Sequence, residues 1–287
     1  MYTLVAILIT IVWGTTFFIV KDTVENVNEY FIVMVRNSLA ALLIIPYALK
    51  KNKKALFKFQ SLLPGMLIGF LLATTYTSQT IGLKFTSSGH SAFITGSAVI
   101  AVPFIMAAFF GQKLRSIELI STGLVLIGIF LLTYDVETDF NKGDLITIIT
   151  LLAYAFHMIY SSLFVKKVEV IALVTHQFFW AAVFSGLAYF ILGEPVANIS
   201  PLDGWMLLYL GAIGTLFCYF ASVWVLKYMS AVKLIVIFAL EPVFASIFAY
   251  FFADEVLSFK ELSGSLIIIS SIIYYQVFDA KRASKAI

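Results

Sequence analysis

Charge is scarce in this chain. Of its 287 residues only 12% are charged while 61% are hydrophobic, and the mean hydropathy is +1.00. A soluble domain carries about 25% charged residues, so there are too few ionised groups here to cover a water-facing surface, and soluble domains are excluded. Cysteine is nearly absent: Cys218 alone, within an apolar run, rules out an intrachain disulfide framework. No basic run with interleaved aromatics occurs, which removes nucleic acid as a partner. The pattern Gly-x-x-x-x-Gly-Lys-Ser/Thr is missing, so direct ATP coupling by this chain is not expected. His90, His157 and His176 form no local His-x-x-x-His or Cys–His pattern, and neither a metal nor another cofactor is expected. The opening Met1-Tyr2-Thr3 lacks a basic stretch, and no small-x-small cleavage site precedes Lys21. The first apolar run therefore reads as a retained membrane helix rather than a removed signal peptide.

What the chain has in abundance is long apolar runs. About 20 such residues cross the ~30 Å hydrocarbon core as a helix, and ten runs qualify. They are Thr3–Val20, Tyr30–Leu49, Leu62–Leu83, His90–Phe110, Leu119–Tyr134, Leu145–Val165, Ile171–Leu192, Trp205–Leu226, Leu234–Phe252 and Leu262–Phe278. Lys and Arg collect on the cytoplasmic side of membrane proteins. With the N-terminus inside, 14 of them fall in inner loops and the tail, and only Lys21, Lys84, Lys142 and Lys260 in outer loops, with Arg36 left inside the second span. Both termini are thus expected to be cytoplasmic. The run Lys50–Lys58 reads as a topogenic loop, with membrane-lipid contact as a second role. The outer loops are acidic, with Asp135, Glu137, Asp139, Asp144, Asp254 and Glu255.

The chain also repeats itself. Leu83-Lys84-Phe85-Thr86-Ser87 closes the third span and Leu226-Lys227-Tyr228-Met229-Ser230 the eighth, with Tyr76 and Tyr219 at one offset upstream. Trp13-Gly14 in the first span likewise matches Tyr154-Ala155 in the sixth. Such periodicity points to duplication. The expected fold is an all-α membrane protein of ten transmembrane helices, built as two inverted-topology five-helix repeats over residues 1–138 and 139–287. Inverted repeats are a mark of secondary transporters, whose substrate site lies near the midplane between the halves.

Several motifs occur in order along the whole chain: Trp13-Gly14-Thr15-Thr16-Phe17 with Lys21-Asp22, Arg36, Gln79 to Ser87 running into Ala92-Phe93-Ile94-Thr95-Gly96, Ala239-Leu240-Glu241-Pro242-Val243-Phe244, and Asp254-Glu255-Val256-Leu257-Ser258. In these the chain resembles the EamA-type family of the drug/metabolite transporter superfamily. The resemblance implies a multi-pass plasma-membrane (inner-membrane) carrier, commonly an exporter of amino acids, other metabolites or toxic compounds. One departure is Gly111-Gln112-Lys113-Leu114 after the fourth span, where the family often has an acid.

Ionisable groups inside a span cost roughly 2.5–3.5 kcal/mol on insertion scales and mark functional positions. Glu241 lies about 10 Å above the inner end of the ninth span and Arg36 about 9 Å below the outer end of the second, which leaves them about 11 Å apart in depth. Glu241 reads as a contact for substrate or proton, and Arg36 as a structural or gating group. Pro103 and Pro242 loosen the fourth and ninth spans, but they sit four residues out of register once Lys84 is matched to Lys227. Trp13, Thr16, Tyr76, Gln79, Tyr154, His157, Gln177 and Tyr219 supply hydroxyl, amide, imidazole and aromatic faces for an amphiphilic solute. Gly96, Gly123, Gly128, Gly186, Gly211, Gly214 and Gly264 read as close-packing positions between helices.

The function that follows is a secondary transporter moving a small organic solute by alternating access, in the direction of export. Its driving force is either proton exchange at Glu241 or His157 or the solute gradient alone. A lipid or lipid-linked carrier flippase is the alternative, and would need a cavity open sideways to the bilayer. An intramembrane enzyme would want clustered acids or a nucleophile–base pair at a shared depth, and the sequence offers neither.

Overall fold

A computed structural model describes residues 1–133, 140–196, 199–252 and 258–285. The described residues are helical, with no strand among them. In chain order the helices are α1 (Tyr2–Asn26), α2 (Glu29–Leu56), α3 (Phe59–Phe85), α4 (Ser88–Gly96), α5 (Ala98–Phe110), α6 (Ser116–Thr133), α7 (Lys142–Phe164), α8 (Val170–Leu192), α9 (Pro201–Tyr209), α10 (Cys218–Leu226), α11 (Ala231–Phe238), α12 (Glu241–Phe252) and α13 (Phe259–Lys285). A π-helical segment, Leu210–Phe217, joins α9 to α10 without a break. Taken together, α4 with α5, α9 with α10, and α11 with α12 each make one span, which gives ten helices long and apolar enough to cross a membrane. The chain is a multi-pass membrane protein of two five-helix repeats. The expected divide between residues 138 and 139 lies outside the described residues, as do Asp135, Glu137, Asp139, Asp254 and Glu255.

Local chemistry sets the helix starts. Ser87 caps α4 by accepting from His90 N, and Ser230 caps α11 by accepting from Lys233 N. The repeated Leu-Lys-aromatic-x-Ser motif is therefore a helix end followed by the cap of the next span, which satisfies a donor that lipid leaves bare. Asn141 and Asp144 form a capping box at the start of α7. Asp144 is accordingly no loop acid: it is buried, accepts from the Thr86 hydroxyl at 2.5 Å, and faces His90 Nδ1 at 3.4 Å. Gly111, at φ 66°, closes α5 in the left-handed conformation that favours glycine.

The halves interleave. The most extensive pairings, α3 with α7, α2 with α8, α6 with α13 and α3 with α8, all join one repeat to the other. Small residues permit the approach: a Cβ on Gly128 would meet Gly264 O at 2.9 Å, and one on Gly264 would meet Gly128 O at 2.6 Å. The expected packing role fails at Gly123 and Gly186, where a Cβ would meet nothing within 4 Å.

At the Lys-rich end, Arg115 ties the repeats together. It bonds Glu118 at 2.7 Å, Asp279 at 3.3 Å and the Tyr275 hydroxyl at 2.9 Å, while Lys233 reaches the other Asp279 oxygen at 2.8 Å. Partial burial disfavours the guanidinium's charge, but Glu118, Tyr275 and Asp279 together outweigh it and raise the Arg115 pKa.

Candidate functional site

Both discontinuous spans break at matching positions. α4 gives way to α5 at Ser97, and α11 to α12 at Ala239–Leu240. The offset that pairs Lys84 with Lys227 also pairs Gly96 with Ala239 and Ser97 with Leu240. Symmetry therefore resides in the breaks and not in the prolines. Pro242 sits inside the first turn of α12, where its missing N–H leaves the Phe238 carbonyl without a helical donor. Pro103 lies buried within α5, six residues beyond the break, and does not border the chamber described next.

Between the halves is a chamber walled by seven spans. Trp13, Thr16, Arg36, Tyr76, Gln79, Tyr154, Tyr219 and Glu241 all line it, joined by Phe17, Thr75 and Thr95. About 40 Å³ is open to the centre of a water-sized sphere, which holds about three waters. Aromatic rings form its frame: Trp13 lies 5.2 Å from Tyr219 and 6.3 Å from Tyr154, and Tyr76 lies 5.6 Å from Tyr219.

The π-helical segment shapes one wall. Its wider turn carries Gly214, whose carbonyl accepts from Trp13 Nε1 at 3.0 Å and from the Tyr76 hydroxyl at 3.4 Å. Thr215 follows and accepts from Arg36 Nε at 3.0 Å. The Arg36 guanidinium also lies over the Tyr76 ring, with its carbon 3.5 Å from the centroid. Arg36 is 1% exposed, and among the described residues no carboxylate lies within ion-pair distance. One hydroxyl and one ring thus hold a buried cation whose charge is not neutralised by a partner.

Glu241 opens α12 and borders the same chamber. No side chain among the described residues hydrogen-bonds or ion-pairs with the carboxylate, although Arg36 borders the same chamber. Tyr154, also in the wall, has a hydroxyl without a partner among the described residues, as has Thr95. The chamber therefore presents one buried positive group, one half-buried carboxyl group without a partner, and unspent hydroxyls between aromatic faces.

Two expected lining residues are elsewhere. His157 Nε2 and Gln177 Oε1 lie 3.2 Å apart, both side chains are buried, and the His157 ring backs onto Tyr219 with centroids 5.2 Å apart. His157 thus turns from the chamber face of Tyr154 to α8, where Gln177 holds it. His176 bonds the Leu56 carbonyl at 2.8 Å, ending α2. Residues missed in the sequence are Phe17, Thr75, Thr95, Gly214 and Thr215. Gly211 and Gly214 hinted at a close approach in the eighth span, but nothing in the sequence marked the π-helical turn. No metal-ligating group of three occurs among the described residues.

Comparisons with known proteins cover most of the chain. The profile of the family described as EamA-like transporter family matches residues 1–134 and again 141–275. An uncharacterized transporter of Archaeoglobus fulgidus is 24% identical over 93% of this chain and 82% of its own. The uncharacterized inner membrane transporter YedA of Escherichia coli K12 is 26% identical over 77% of this chain and 72% of its own. The uncharacterized transporter YoaV of Bacillus subtilis is 22% identical over 91% of each. A solved crystal structure matches with a TM-score of 0.82 at 15% identity, covering 98% of each chain, a likeness of fold.

Proposed function

This chain belongs to the EamA-like transporter family, and from that premise we propose that it is a secondary carrier of a small organic solute. The solute passes through the chamber between the repeats by alternating access, in the direction of export across the plasma membrane. Both termini face the cytoplasm, as the lysine distribution favours. The observation that carries this reading is the chamber itself: matched aromatics from both halves, with Arg36 and Glu241 as the charged groups on its wall. A solute with an apolar body and a charged or dipolar head meets each of these partners, the rings through their faces and the charges through hydrogen bonds. Room for about three waters is too little for such a solute, so the chamber widens when it loads. Glu241, with no partner in the wall, is free to take the solute's cationic group or a proton. Walls from seven spans favour this reading over a flippase, which needs a sideways opening.

The test is metabolite profiling of medium and cytosol from cells with the protein, without it, and with Glu241→Gln. A solute that accumulates in the medium with the unaltered protein and not with Glu241→Gln is expected. Identical profiles in all three would overturn the proposal. Reconstituted flux then separates the driving forces: a dependence on an imposed proton gradient that Glu241→Gln removes assigns proton exchange to this carboxylate.

A further inference from the structure

Three cavities lie in a row beside α1. At the Lys-poor end is a vestibule of about 330 Å³, bordered by Ser88, Gly89 and Thr133 and, deeper, by Ala92, Pro242 and Phe17. Next comes an antechamber of about 30 Å³ that shares Phe17, Ala92 and Pro242 with the vestibule. The antechamber in turn shares Phe17, Thr95, Tyr154 and Glu241 with the chamber. Among the described residues, Phe17 alone borders all three.

The opposite end is built differently. The repeat offsets carry Phe17 to Met158, Ala92 to Ile235, Pro242 to Val99 and Ala245 to Val102. Where one set of positions walls a vestibule, three of the counterparts are tightly buried, Met158 at 2% exposed and Val99 and Val102 both at 0%, while Ile235 faces the antechamber. One end of the chamber thus lies against deeply buried side chains, and the other is parted from a vestibule by Phe17, Ala92 and Pro242, of which Phe17 alone also reaches the chamber.

We propose that Phe17 is the plug of a gate at the Lys-poor end: its ring seals the chamber from the vestibule and swings aside to admit or release whatever passes. The backbone beneath it is held. One turn earlier on α1, a Cβ at Gly14 would meet Ala245 N at 3.0 Å and Glu241 O at 3.2 Å, so α1 rests directly on α12. Movement falls to the side chain, whose rotamer changes are fast, and Ala92, bordering the same two cavities, leaves the ring room. On its other side Phe17 packs in an apolar cluster with Val20, Ile32 and Leu83, which holds the closed position.

The gate is tested by thiol labelling of the full-length protein in lipid nanodiscs, where both faces are open to a small water-soluble methanethiosulfonate. Cys218, the one native thiol, is replaced by alanine. Ser246→Cys reports the vestibule. Thr95→Cys reports the inner side of the plug and loses no hydrogen bond, since the Thr95 hydroxyl has no partner among the described residues. With Phe17 in place, Ser246→Cys is expected to label readily and Thr95→Cys slowly. Phe17→Ala should then speed Thr95→Cys by about tenfold or more, with Phe17→Leu in between and Ser246→Cys unmoved. The gate is overturned if Thr95→Cys labels as fast as Ser246→Cys beside an intact Phe17, if neither Phe17 variant changes its rate, or if Ser246→Cys does not label. Should Phe17→Ala fail to fold, Phe17→Leu, which keeps the cluster contact, carries the test. Labelling reads access alone and needs no transported solute, so its failure is distinguishable from failure of the carrier reading.

Discussion

The two repeats agree in their rings and disagree in their charges. Trp13 corresponds to Tyr154 and Tyr76 to Tyr219, and all four line the chamber. Arg36, by contrast, falls opposite Gln177, and Glu241 opposite Ala98. Gln177 is turned away to His157, and Ala98 is fully buried. The aromatic frame is therefore what the duplicated fold supplies twice, while each charge belongs to one copy. A chamber built on symmetry has been made polar by breaking it, and the charges are where its chemistry resides.

The sharpest way to break this comparison is to exchange a pair. Ala98→Glu places a carboxylate in a site with no room and no partner, at a cost of several kcal/mol. It should abolish folding or expression, read by fluorescence-detected size exclusion, whereas Glu241→Gln folds and loses flux by more than about tenfold. Equal tolerance at the two positions would mean that the halves do not differ as described. Arg36→Met should lower stability by about 1.5–3 kcal/mol through its lost charged hydrogen bond to Thr215, and Gln177→Met by about 1 kcal/mol, both read from unfolding in detergent. Gly14→Ala pushes α1 off α12 and should cost about 1–3 kcal/mol through overpacking, while its counterpart Ala155→Gly should cost only about 1 kcal/mol through helix propensity. The smallest contrast is Ser87→Ala against Ser230→Ala. Each removes one cap and should cost about 1 kcal/mol, equal within error if the shared motif has the same role in both repeats.

Span number and the duplication were legible because hydropathy, charge and fixed offsets report them directly. The helix breaks were not. The prolines drew the eye to positions four residues out of register, while the tightened turns at Ser97 and at Ala239–Leu240 carry no residue type that announces them. The π-helical turn was equally silent, although Trp13, Tyr76 and Arg36 all depend on it for partners. Three-residue spacing keeps Thr16 with Trp13 and Gln79 with Tyr76 on the chamber wall, but His157 leaves Tyr154 for Gln177 on α8, a partner that spacing alone does not reveal. Phe17, an apolar ring in an apolar span, carries no polar label, and its place follows only from the cavities it divides.

The interleaving of the repeats governs how the protein comes to exist. When the first five spans have been inserted, the faces of α3 that will receive α7 and α8, the face of α2 meant for α8, and the face of α6 meant for α13 all still look onto lipid. Gly65 and Gly69, whose Cβ positions would strike His176 and the Gln177 carbonyl, then line empty notches. The amino-terminal half is in this sense a mould waiting for its cast. Assembly must await the later spans, and neither half has a finished core to fold around by itself.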